Sequence, residues 1–155
     1  MIVISDTSAI SALLLVEKSD LLKVLFGEVL IPEAVAKELK IYHNRLPSFV
    51  SVCPVQDKQA AESFKVILDN GESEAIQLSI EQPNSLLLMD ETLGRKIAKQ
   101  ENLKVVGLMG VLLMAKAKGL LKSITPLISR LEVEAGFYIS ESVKFAVLKE
   151  AGEGD

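Results

Sequence analysis

Carboxylates are the groups in this sequence best placed to do chemistry. Asp6 follows a short β-branched run, Ile2–Ser5, and Asp90 follows the apolar run Leu86-Leu-Leu-Met89. In an open parallel sheet, ligands collect beyond the carboxyl ends of the strands, where the strand order reverses. Two aspartates at such ends can therefore meet across a crevice. Each also suits the N-cap of the helix that follows it, and the two roles are compatible, because a capping carboxylate keeps a second oxygen. Glu38 lies three and four residues from Val35 and Ala34 on a helix that starts at Pro32. That spacing sets it at the edge of the buried face. A carboxylate there needs a partner or a metal, unless it is simply an exposed helix charge. Asp69 and Glu72 have capping-box spacing, which gives Glu72 a structural task. Glu74 points roughly 200° away around the same helix. It has no such task and is the stronger functional candidate.

Asp6, Glu38, Glu74 and Asp90, brought together, would repel one another unless protonated or neutralised by a cation. All-oxygen donors suit hard ions such as Mg²⁺ or Mn²⁺. Such ions activate water for phosphodiester hydrolysis. Other chemistries lack their parts: there is no G-x-x-x-x-G-K-[ST], no G-x-G-x-x-G and no G-x-S-x-G. The single histidine, His43, reads as a surface residue, and the single cysteine, Cys53, as core. One Cys and one His exclude an internal disulfide and a Cys/His zinc site within the chain.

Net charge is −4 over 155 residues, which weighs against nucleic-acid binding through bulk charge. The charge is uneven, however. Met1 to Glu91 holds 7 Lys/Arg against 14 Asp/Glu, whereas Thr92 to Arg130 holds 8 Lys/Arg against Glu101 alone. The acid-rich front could hold a metal and the basic stretch, which includes Arg95 and Lys99, a phosphate backbone. A solvated basic face is the plain alternative.

These residues need a frame. Strands are expected at 2–5, 28–31, 49–53, 85–89 and 104–107. Helices are expected at 7–16, 20–26, 32–40, 58–68, 72–81, 91–100, 108–118, 124–135 and 141–150. An apolar run without alternation, as in Leu86–Met89, marks a strand buried on both faces. Strand–helix alternation then argues α/β with a parallel sheet and right-handed crossovers. One domain is expected over residues 1–150, with 151–155 a frayed acidic tail. The stretch Leu108–Ala115 is apolar almost all round and is buried either in the core or in a partner, which raises the expectation of a homodimer. No apolar run approaches the ~18 residues that span a bilayer. Asp6 interrupts the opening apolar run, so no secretory signal is expected, and the default home is a reducing cytoplasm.

At this point the sequence resembles the PIN-domain family, close to VapC-type toxin ribonucleases and their prokaryotic relatives. The segments that carry the resemblance are Ile2-Val-Ile-Ser-Asp-Thr-Ser8, Ile31-Pro-Glu-Ala-Val-Ala-Lys-Glu-Leu39, Gly71-Glu-Ser-Glu-Ala-Ile-Gln-Leu78, Leu86-Leu-Leu-Met-Asp-Glu-Thr-Leu-Gly-Arg-Lys-Ile-Ala98 and Val105-Val-Gly-Leu-Met-Gly-Val-Leu112. They occur in the family's order over about the first 120 residues. The resemblance implies a three-layer α/β/α sandwich with a mostly parallel, roughly five-stranded sheet. It implies a metal-dependent endoribonuclease, with Mg²⁺ or Mn²⁺ at Asp6, Glu38, Glu74 and Asp90. Ser8 matches the small polar residue that supports the first aspartate or a substrate phosphate, and Arg95 a basic residue of the helix after the fourth acid. Ser8, Glu72 and Glu91 are supporting candidates, and Arg95 and Lys99 are RNA-binding candidates. A homodimer is implied, and for a toxin an antitoxin partner. The chain departs from the pattern twice: its third acid is Glu where many relatives have Asp, and Leu108 stands where a hydroxyl residue is common. Two other readings begin from the same features. A phosphatase-like phosphoryl-transfer domain also starts with a strand ending in Asp, but needs a second Asp two residues on, where this chain has Ser8. A PIN fold acting only as a binding module would not need its acids intact.

Overall fold

A computed structural model of the chain describes residues 1–154. Five strands form one sheet: β1 (Val3–Ser5), β2 (Val29–Ile31), β3 (Val50–Val52), β4 (Leu86–Leu88) and β5 (Lys104–Val106). Every pairing is parallel and the order is β3-β2-β1-β4-β5. Nine helices among the described residues connect and cover the strands: α1 (Thr7–Leu15), α2 (Asp20–Phe26), α3 (Glu33–Tyr42), α4 (Lys58–Phe64), α5 (Asn70–Glu81), α6 (Thr92–Gln100), α7 (Leu108–Ala117), α8 (Thr125–Val133) and α9 (Glu141–Glu150).

The pleat divides the central strands between two cores. Val3, Val29, Ile31 and Leu88 pack with α1, α2, α3, α7, α8 and α9 on one face. Ile4, Leu30, Leu87 and Met89 pack with α4, α5 and α6 on the other. Alternate side chains of a strand point to opposite faces, so a strand covered on both sides reads as an unbroken apolar run. The result is the α/β/α sandwich expected from the sequence.

Two other expectations meet a different outcome. The apolar girth of α7 is accounted for within the chain: Leu108, Met109, Val111, Leu112 and Ala115 are buried in the larger core, against α2 and α9. It therefore supplies no argument for a dimer. The segment read as a frayed tail is tied down as far as Gly154. The Glu153 carboxylate accepts hydrogen bonds from Ile124 N and Thr125 N at the start of α8 and from Lys116 Nζ at 2.8 Å. Those unpaired helix-end amides explain the anchoring; Asp155 lies outside the described residues. Among the described residues, no helix is long and apolar enough to cross a membrane.

Candidate active site

The strand order reverses between β1 and β4, with β2 on one side and β5 on the other. Ser5 pairs with Leu88, and Asp6 N–H donates to Leu88 O at 3.2 Å. The chain thus carries Asp6 and Asp90 off adjacent strands at the same end of the sheet. Asp6 precedes α1 in extended backbone but makes no side-chain capping bond. It is 3% exposed, and its Oδ1 is buried without a hydrogen-bond partner. Burial pushes its carboxyl well above the usual range, and the charges of Asp90 and Glu72 push it further. Asp6 thus stands at the N-cap of α1, where the Ala9 amide offsets part of the rise, but its buried Oδ1 is left in need of a counter-charge or a proton.

A cavity of about 260 Å³ is lined by Asp6, Glu38, Asp69, Glu72 and Glu91 with the hydroxyl residues Thr7 and Ser8. Glu72 differs from its sequence reading. Asp69 does cap α5 by accepting from Glu72 N–H at 2.8 Å. The Glu72 side chain does not close the box; its Oε2 is buried and unpartnered. Burial, with Asp69 beside it, raises the Glu72 carboxyl to about 7. Glu74 goes elsewhere: it accepts from Ala34 N–H at 3.0 Å, at the start of α3, and pairs with Lys65 at 3.5 Å. Glu72, a supporting candidate in the sequence, therefore lines the pocket, and Glu74, the expected third acid, does not. Helix geometry sets the rotation between the two residues, but not which side of α5 faces β1.

Glu38 and Asp90 are held by neighbours. Thr7 Oγ1 donates to Glu38 Oε2 at 2.6 Å. Leu108 N–H donates to both Asp90 oxygens, at 3.0 and 3.2 Å. Burial raises the Asp90 carboxyl, while that amide and the Arg95 charge pull it back. The Leu108 side chain points into the core, so the amide at the start of α7 serves Asp90 whatever the side chain there. Three of the acids each rest against a glycine. A Cβ on Gly71 would stand 2.7 Å from Glu38 Oε1, on Gly94 3.0 Å from Glu72 Oε2, and on Gly107 2.9 Å from Asp90 Oδ1. Glycine permits this close approach.

The remaining candidates divide. Ser8 is exposed in the cavity wall and makes no hydrogen bond to Asp6. Glu91 is exposed there too. Arg95 is partly engaged, donating from Nη1 to Met89 O at 3.0 Å. Beside Asp90, a groove of about 950 Å³ is lined by Arg95, Lys96 and Lys99. Lys96 and Lys99 are exposed and have no ion pair among the described residues. Sequence reasoning missed Thr7, Asp69 and Lys96. Thr7 and Lys96 directly follow residues that it did single out, and Asp69 was set aside as a cap.

The donor chemistry fits a hard divalent cation: oxygen ligands, two of them buried without partners, in a neighbourhood that penalises further negative charge. Among the described residues, no three of the carboxylates stand together at ligand spacing in this arrangement.

An all-parallel sheet with acids gathered beside its switch point defines the class: an open α/β fold with an acidic pocket. A family model described as "DUF3368: PIN domain" matches residues 2–153, and the chain belongs to that family. PIN domains are typically nucleases, usually with divalent metals. No curated protein and no solved structure matches the chain.

Proposed function

We propose that this protein is a divalent-metal-dependent endoribonuclease whose acids are Asp6, Glu38, Glu72 and Asp90, with Asp69 and Glu91 in support. The observation that carries the reading is the pair of buried, unpartnered oxygens, Asp6 Oδ1 and Glu72 Oε2, at the topological switch point. A bound Mg²⁺ or Mn²⁺ would supply an acidified water and neutralise charge developing on the phosphate. The chain's own residues do the rest. Thr7 orients Glu38, and the Leu108 amide and Arg95 position Asp90 and offset part of the rise that burial imposes on its carboxyl. Lys96 and Lys99 bind the phosphate backbone, so affinity falls steeply with salt. The Ser8 hydroxyl stands where it can meet a phosphate oxygen. The same activity would serve a toxin if an antitoxin gene adjoins, a point the neighbouring reading frames decide.

The test is cleavage of single-stranded RNA in Mn²⁺ by paired variants, with contaminating nuclease excluded. Glu72→Gln should lose on the order of 10²-fold in rate, the scale on which supporting a metal site matters. Glu74→Gln should stay within a few-fold of the parent, because its carboxylate braces α3 instead. Glu72→Gln cleaving as fast as the parent would show that the acids named here are not the site.

A further inference from the structure

The acidic pocket has a second approach. A groove of about 620 Å³ shares Thr7, Ser8 and Glu91 with the pocket, and Asp90 and Thr92 with the basic groove. Its far wall carries Tyr42 and Tyr138. These are the only two tyrosines in a chain without tryptophan. They come from separate elements: Tyr42 ends α3, and Tyr138 stands in the connection from α8 to α9, after Gly136 turns the backbone at φ 63°. Yet both face the same groove, 76% and 84% exposed. Among the described residues, neither hydroxyl makes a hydrogen bond. Next to Tyr42 in the chain, His43 Nε2 shares a hydrogen bond of 2.9 Å with Ser11 Oγ that ties the end of α3 to α1.

We infer that Tyr42 and Tyr138 form a base-stacking bank, so that the substrate is single-stranded RNA lying across the acids with its bases on the tyrosines and its backbone continuing towards Lys96 and Lys99. Large aromatic faces left in water next to an anion-binding groove match the two needs of an unpaired strand, a charged track and a stacking platform. A duplex hides its base faces and would not use the tyrosines. The inference rests on the nuclease reading above and adds to it the residues that would hold the bases of the unpaired strand.

Because the chain has no tryptophan, its intrinsic emission comes from these two residues alone. The protein, in EDTA to withhold divalent metal, is titrated with a short oligouridylate, with an abasic oligomer of the same backbone, and with duplex RNA. Oligouridylate should quench the tyrosine emission and bind more tightly than the duplex. Tyr42→Ala and Tyr138→Ala should each weaken oligouridylate binding on the order of tenfold, while Tyr42→Phe and Tyr138→Phe keep it. The abasic oligomer should bind the parent and the Ala variants alike. The inference is overturned if the Ala variants bind oligouridylate as the parent does, if they lose the abasic oligomer equally, or if they change the sedimentation of the protein, which would make the groove a protein interface. Should the parent cleave RNA and lose affinity on Lys99→Ala while the tyrosines prove indifferent, the stacking bank alone falls. Should the parent neither bind nor cleave any of the RNAs, the nuclease reading falls with it.

Discussion

At the C-terminal end of the chain, the Glu153 carboxylate accepts hydrogen bonds from Ile124 N, Thr125 N, Thr125 Oγ1 and Lys116 Nζ. At the switch point of the sheet, Glu72 Oε2 and Asp6 Oδ1 accept none. Burial works against the charge of Glu153 too, yet its hydrogen bonds from Lys116 and Thr125 pull the carboxyl down to about 2. Burial and the neighbouring Asp69 instead drive Glu72 up to about 7. The fold satisfies one acid internally and leaves the others to be satisfied from outside the chain. A satisfied acid is a fastening. An unsatisfied cluster costs stability, and the proposed cation would relieve that cost.

The strongest way to break this contrast is Asp6→Asn. Removing a buried charge without a partner should raise the melting temperature in EDTA near pH 8, so that loss of function comes with a gain in stability. The parent should gain about 2.7 kcal/mol when Mn²⁺ is present at a hundred times its dissociation constant, and Asp6→Asn should lose that gain. A variant that keeps the full Mn²⁺-induced shift would show that the pocket is not where the ion binds.

Glu153→Ala tests the other side. It strands the amides of Ile124 and Thr125 and removes the counter-charge of Lys116, which keeps only its bond to Ala151 O, and should cost about 1–3 kcal/mol in chemical denaturation. Its Mn²⁺-induced shift should equal the parent's. A coupled change in both would mean that the two regions are not independent.

The smallest effect is in pH. The Glu72 carboxyl lies above its ordinary value of 4.5 in the folded state. The native protein therefore holds this proton more tightly than the unfolded chain does. The stability this proton brings is full below about pH 4.5 and is lost as pH rises to about 7. The Glu153 carboxyl lies below its ordinary value, so its contribution is present above about pH 4.5 and disappears as pH falls towards 2. In EDTA, Glu72→Gln should flatten the decline between pH 4.5 and 7, and a slope identical to the parent's would contradict the burial of its charge.

The architecture was legible because its signals are local. The uninterrupted Leu86-Leu-Leu-Met89 marks a doubly covered strand, and five strand segments separated by helical ones leave few arrangements besides a parallel sheet. Asp6 and Asp90 were legible for the same reason: each directly follows its strand, and strand ends are where a parallel sheet gathers a site. The choice between Glu72 and Glu74 was not legible. Both lie in the first turns of α5, and the capping pattern at Asp69 assigned Glu72 a task that its backbone amide, not its carboxylate, performs. The girth of α7 was equally ambiguous, since an all-round apolar helix reads the same whether a core or a partner covers it.

The sequence by itself determined the periodicities, the strand ends and the acids that stand on them, because these depend on residues a few positions apart. Only the tertiary structure decided which side of α5 faces β1, that Thr7 reaches Glu38 across 31 positions of chain, and that Tyr42 and Tyr138 line one groove. Those outcomes depend on how whole helices rotate to fill two cores at once, a condition that no local stretch of sequence contains.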